Sequence, residues 1–151
     1  MSIPERWLRH SPLPKDISTS LEKLPTIFEE EGVLLAYLFG SFALAYKARK
    51  REPHDLDLAL LTNDKSAWML WDAITEALGT ERLDLVNLKR ASPVLLFEIL
   101  RTGRLIYSSD EATRERFVLD ALRLYRDTEP LRRRHRVVLK RRMDRWSEEN
   151  Q

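Results

Sequence analysis

Two aspartates stand where a strand should exclude them. Residues 55–61 read Asp-Leu-Asp-Leu-Ala-Leu-Leu, an apolar run of strand length with two carboxylates two positions apart. Aspartate is depleted in strands because its short polar side chain packs poorly and competes for backbone hydrogen bonds. The two-residue period of a strand puts Asp55 and Asp57 on one face. It puts Leu56, Leu58 and Leu60 on the other, which is expected to be core. Two carboxylates this close repel unless a cation lies between them. A hard divalent ion such as Mg2+ takes oxygen ligands and commonly uses one or two carboxylates plus substrate phosphates. Asp84 repeats the anomaly, between Leu83 and Leu85 in a third apolar run. If that run lies beside residues 55–61, Asp84 reaches the same cleft, as a metal ligand or as the group that takes a proton from an attacking hydroxyl. An edge strand whose aspartates deter aggregation is the plain alternative; the apolar content of the run argues against it.

A second pattern complements the first. Residues 33–39 form a continuous apolar run, which reads as a strand buried on both faces, and Gly40 and Ser41 follow directly. Glycine there lets a substrate approach the backbone. The following N–H groups and a helix N-terminus make an anion site, to which the Ser41 hydroxyl adds a donor. A phosphate cradle facing an acidic metal site is what phosphoryl or nucleotidyl transfer requires, because there the protein mostly positions groups and neutralises charge.

Around these motifs the chain reads as alternating helices and strands. One helix is expected from residues 18–20 to about Glu31, with Pro25 in its first turn or at a kink and Gly32 as its stop. A short helix is expected over 42–48, followed by a basic loop over 47–53. Asn63 or Asp64 is placed to cap a helix carrying Ala67, Leu70, Trp71, Ile74 and Leu78, which follow helical spacing, and Gly79 ends it. Residues 82–88 form the third strand. Ser92 and Pro93 open a helix that Gly103 closes. A short fourth strand over 104–107 and two helices over 110–127 and 130–146 complete the chain. The order describes an α/β or α+β domain with a small central sheet, and α+β is the expected class. Its expected divisions are a loose arm over 1–16, a domain over 17–108 and closing helices over 109–151. Tyr37, Trp68 and Trp71 are expected to be core or half-buried packing, and His54 polar surface.

Composition narrows the functions open to the chain. It has 151 residues and no cysteine, so a disulfide framework, a thiolate metal site and a cysteine nucleophile are excluded. No apolar run is long enough to span a bilayer, and the first residues lack the apolar stretch of a signal peptide, so a cytoplasmic protein is expected. The formal net charge is only +2, but ten basic residues face three acidic ones over 123–145. A solvated helix face is the first reading of that run, and a surface for an acidic partner the second.

The segments Leu38-Phe39-Gly40-Ser41-Phe42-Ala43, His54-Asp55-Leu56-Asp57-Leu58-Ala59 and Leu83-Asp84-Leu85-Val86 resemble the minimal nucleotidyltransferases of the DNA polymerase β-like superfamily. More narrowly, the chain looks like the MNT-type antitoxins that accompany HEPN-domain toxins, over roughly residues 20–125. The resemblance implies a nucleotidyltransferase-like fold with a small mixed central sheet flanked by helices, and here a C-terminal helical extension. It implies that Gly40 and Ser41 hold the nucleotide triphosphate. Asp55, Asp57 and Asp84 would ligate Mg2+, and Asp84 would also activate the acceptor hydroxyl. The reaction it implies is transfer of AMP from ATP to a tyrosine of a partner HEPN-type ribonuclease toxin, with which the chain forms a hetero-oligomer. Neither a membrane nor direct nucleic-acid binding is expected. The sequence departs from the family pattern in its longer loop between Ser41 and Asp55. It also has Leu44-Ala45 where a basic residue and glycine are common, and His54 where serine is common.

Two other functions compete with this one. An antitoxin acting only by binding and occlusion would not need three in-strand aspartates. A nucleotidyltransferase for a small polycationic substrate would need a cleft lined with further acids, whereas this chain ends in an arginine-rich helix.

Overall fold

In the computed structural model, residues 13–40, 43, 55–63 and 66–149 are described. The expected short helix over 42–48, the basic loop, His54 and Ser41 therefore fall outside the described residues, apart from Ala43, which is helical and buried. Four strands form one sheet: β1 (Val33–Phe39), β2 (Leu56–Thr62), β3 (Leu83–Asn87) and β4 (Arg104–Ser108), in the order β3-β2-β1-β4. β1 pairs antiparallel with β2 and β4, and β2 pairs parallel with β3, so the sheet is mixed. A parallel pair needs a crossover. A 3-10 turn (Ala67–Leu70) and α3 (Trp71–Leu78) supply it.

The sheet is covered on both faces, which is why β1 and β2 read as continuous apolar runs. One face carries Leu56, Leu58 and Leu60, all fully buried, under α1 (Ile17–Leu21), α2 (Leu24–Glu30) and α3. The other carries Leu35, Tyr37, Ala59 and Leu61 under α4 (Pro93–Thr102) and α5 (Glu111–Asp127). Burying a leucine fully is worth about 1.5–3 kcal/mol, so these central strands hold much of the stability of the fold. Tyr37 is core, as expected.

Local signals explain most boundaries. Gly32 and Gly79 end helices at positive φ. The Ser92 side chain accepts a hydrogen bond from the Leu95 N–H at 3.2 Å, with Pro93 at the first helical position. Asp110 caps α5 by accepting from the Thr113 N–H at 2.7 Å. Gly103 sits where any Cβ would collide with the Ile99 carbonyl and press on the Leu38 carbonyl at 3.2 Å.

Two expectations need correction. The first helix is two helices, separated by Glu22 and Lys23. Pro25 has no N–H to give the Leu21 carbonyl, so the chain restarts with proline in the first turn of α2. The crossover helix begins later than Asn63 or Asp64: Ser66 precedes the 3-10 turn, and the α-helix starts at Trp71.

The last helix, α6 (Glu129–Glu149), is unlike the rest, for none of its residues is buried. It is fastened near its start. The Arg132 guanidinium lies 3.6 Å over the Tyr125 ring and donates to the Tyr125 carbonyl and to Glu129. Tyr125 in turn stacks on Phe97 of α4, with ring centroids 4.0 Å apart.

Candidate active site

The three aspartates meet at one end of the central strands. In the parallel pair, Asp57 of β2 stands directly opposite Asp84 of β3. Asp55 lies two residues before Asp57, just outside the strand. Because β2 is an inner strand, the aggregation-guard explanation for its carboxylates fails. Asp57 shares its face with Ala59 and Leu61, which are buried under α4 and α5, and it sits where that cover gives way.

The electrostatics follow from this placement. The Asp57 carboxyl is pushed up from 3.8 to about 6, first by burial, then by the charge of Asp84, then by that of Asp55. Each cause penalises the carboxylate form, and the two neighbouring charges would favour a cation beside it. Carboxylate oxygens of like charge are the type of donor that a hard divalent ion takes. Among the described residues no three acidic or imidazole side chains stand in a finished ligand arrangement. Residues 51–54, next to Asp55, are not described.

Gly40 completes the site from the other side. Phe39 of β1 is the register partner of Asp57, and Gly40 follows it with φ of +72°. A Cβ here would clash with Asp57 Oδ2 and lie 2.9 Å from its Cγ. Only glycine allows the turn to close on the carboxylate, both for this contact and for the left-handed backbone. The turn predicted to hold phosphates is therefore packed against the predicted metal ligand.

The structure also gathers residues that the sequence reading did not assign to the site. A cleft of about 420 Å³ opens beside Asp55 and Asp84, and Trp68, Trp71, Glu81, Arg82 and Leu83 complete its walls. Trp68 is 64% exposed, which corrects its expected role as core or half-buried packing. It stacks on Trp71 with centroids 5.4 Å apart and planes 27° apart. It sits on the 3-10 turn, one residue off the apolar stripe that Ala67, Leu70 and Ile74 bury. Arg82 is buried in spite of its charge. Its signal in the sequence was its place two residues before Asp84, just ahead of β3.

The family model for polymerase beta nucleotidyltransferases matches residues 22–112, and the chain belongs to that family. Solved structures agree on the fold. A chain from the rebuilt structure of a tri-AMPylated Shewanella oneidensis HEPN toxin with its MNT antitoxin is 23% identical, with a TM-score of 0.61, and the match covers 83% of this chain and 98% of that one. A chain from a toxin–antitoxin complex with AMP-PNP is also 23% identical, with a TM-score of 0.62 and 82% and 98% coverage. A chain from the MntA–HepT toxin–antitoxin is 22% identical, with a TM-score of 0.60 and 83% and 98% coverage. No curated protein sequence matches the chain significantly.

Proposed function

We propose that this chain is an antitoxin nucleotidyltransferase that transfers AMP from ATP to a tyrosine hydroxyl of a partner HEPN-type ribonuclease toxin in the cytoplasm. The observation that carries the reading is the half-buried Asp57, raised by Asp84 and Asp55 and closed upon by Gly40. Membership of a nucleotidyltransferase family supports the chemistry. The solved structures support the partner, since those proteins were captured as toxin–antitoxin complexes, one with an AMPylated toxin and one with an ATP analogue.

In this reading Gly40 and Ser41 receive the triphosphate. Asp55, Asp57 and Asp84 would hold Mg2+, which when bound neutralises charge on the phosphates and the carboxylates. Asp84, exposed at the outer strand, accepts the phenolic proton. The tyrosine oxygen then forms a bond to the α-phosphorus, the bond from that phosphorus to the bridging oxygen breaks, and pyrophosphate leaves with the electron pair. The bulky, negative adduct blocks the RNA site of the toxin.

Intact-mass spectrometry of the partner, incubated with the chain, ATP and Mg2+, tests the reading. Adenylyl increments are expected with the wild type and none with Asp84→Asn or Asp57→Ala. Labelling that survives Asp57→Ala contradicts it. Toxin neutralisation in cells by an Asp57→Ala chain at normal expression would favour occlusion instead.

A further inference from the structure

The cleft beside Asp55 and Asp84 has a wall that the transfer chemistry does not use. Two stacked indoles line it, and the outer one is mostly exposed. Exposing so much of a tryptophan forgoes apolar burial that the neighbouring Leu70 and Ile74 obtain completely. The pair is held by the 3-10 turn and the first turn of α3, so it offers a rigid aromatic face with little conformational entropy to lose.

The order of the sheet says which substrate meets that face. Across the strand ends, Gly40 follows β1, Asp57 lies on β2, and Asp84 lies on the outer strand β3. Neither Gly40 nor Asp57 lines the cleft, whereas Asp55 and Asp84 do. The triphosphate and the tryptophans therefore flank the carboxylates from opposite sides. In an in-line displacement the acceptor approaches the α-phosphorus from the side away from the leaving group. That side is the one holding Asp84 and the indoles.

We propose that Trp68 and Trp71 form the acceptor subsite, with Trp68 as its specificity-determining residue, stacking on the planar side chain of the tyrosine whose hydroxyl is adenylylated. This rests on the nucleotidyltransferase reading above and names the substrate group that its third carboxylate serves. Aromatic rings attract one another in offset or edge-on arrangements beyond their burial alone, so a phenol is held better than a serine or threonine hydroxyl. Glu81, at the rim of the cleft, adds negative charge and disfavours an acidic residue beside that tyrosine.

The test is initial-rate kinetics of AMP transfer to the partner toxin, varying toxin and ATP separately, for wild type, Trp68→Ala and Trp68→Phe. Trp68→Ala should raise KM for the toxin about five- to tenfold. KM for ATP and kcat at saturating toxin should stay unchanged, and Trp68→Phe should restore most of the loss. A rise in KM for ATP instead would assign the indoles to the nucleobase and overturn the proposal. Unchanged constants in Trp68→Ala would overturn it while leaving the parent reading intact. Absence of transfer by the wild type would remove both.

Discussion

The ends of β2 and β3 and the helix α6 are both rich in charge, and they carry it in opposite ways. Around Asp57 the acids sit at the margin of the core, where burial and like charge push a carboxyl to about 6. Along α6 no residue is buried, and every arginine but Arg132, which lies over Tyr125, is exposed. Glu129 alone takes ion pairs from Arg132, Arg133 and Arg136. The pairs to the exposed Arg133 and Arg136 contribute little to stability, and salt screens them. Charge that the fold accommodates at a cost marks a site more reliably than charge that costs nothing. Three acids at the ends of two strands are therefore more informative about this protein than ten basic residues on its closing helices.

Mutations can break that comparison. The largest effect on stability is expected in the strand that carries the acids: Leu58→Ala should cost about 2–5 kcal/mol, read as a loss in chemical-denaturation midpoint. A cost below about 1 kcal/mol would mean that β2 is not the centre of the core.

Gly40→Ala comes next. The left-handed backbone alone costs an alanine about 1–2 kcal/mol, and the new Cβ collides with Asp57. A melting temperature lower by several degrees is expected, together with loss of AMP transfer. An alanine variant with unchanged stability would show that the turn does not close on Asp57.

The pH dependence of stability sharpens the contrast. The folded chain binds a proton at Asp57 more tightly than the unfolded chain does, since the group stands at about 6 against 3.8. The stabilisation from that proton is complete below about 3.8 and is lost as pH rises through about 6. Asp57→Asn should therefore stabilise the metal-free protein above pH 6, by about 1 kcal/mol after allowance for solvent screening at a half-buried group. Denaturant titrations at pH 4 and pH 8 check this, and equal effects at the two values would contradict it. The smallest effect belongs to α6: Leu139→Ala, at a position 56% exposed, should change stability by less than about 0.5 kcal/mol.

How much of this was legible in the sequence depended on whether a residue type carried its own reason. Asp57 and Asp84 could be read because aspartate is out of place in an apolar strand, and the register sets them side by side; Asp55, expected in the same strand, lies just before it. Ser92-Pro93, Gly32 and Gly79 could be read because capping chemistry is local. Trp68 could not be. A tryptophan one residue off a buried helical stripe is covered or left exposed according to what other elements pack over it, which the local sequence does not state. The break before Pro25 was similarly ambiguous, since proline fits either a kink or a first turn. Arg82 was missed because burial of a cation depends on neighbours from other elements, which the local sequence does not state.

The central claim is that Asp57 belongs to one electrostatic unit with Asp84 and Asp55. Carboxyl-carbon NMR titration of Asp57 in wild type and in Asp84→Asn addresses it directly. The account predicts a wild-type midpoint near 6 that moves toward the ordinary carboxylate range when Asp84 is neutralised, and that falls in the wild type when Mg2+ is added. A midpoint near 4 in the wild type, or one unmoved by both changes, would contradict it.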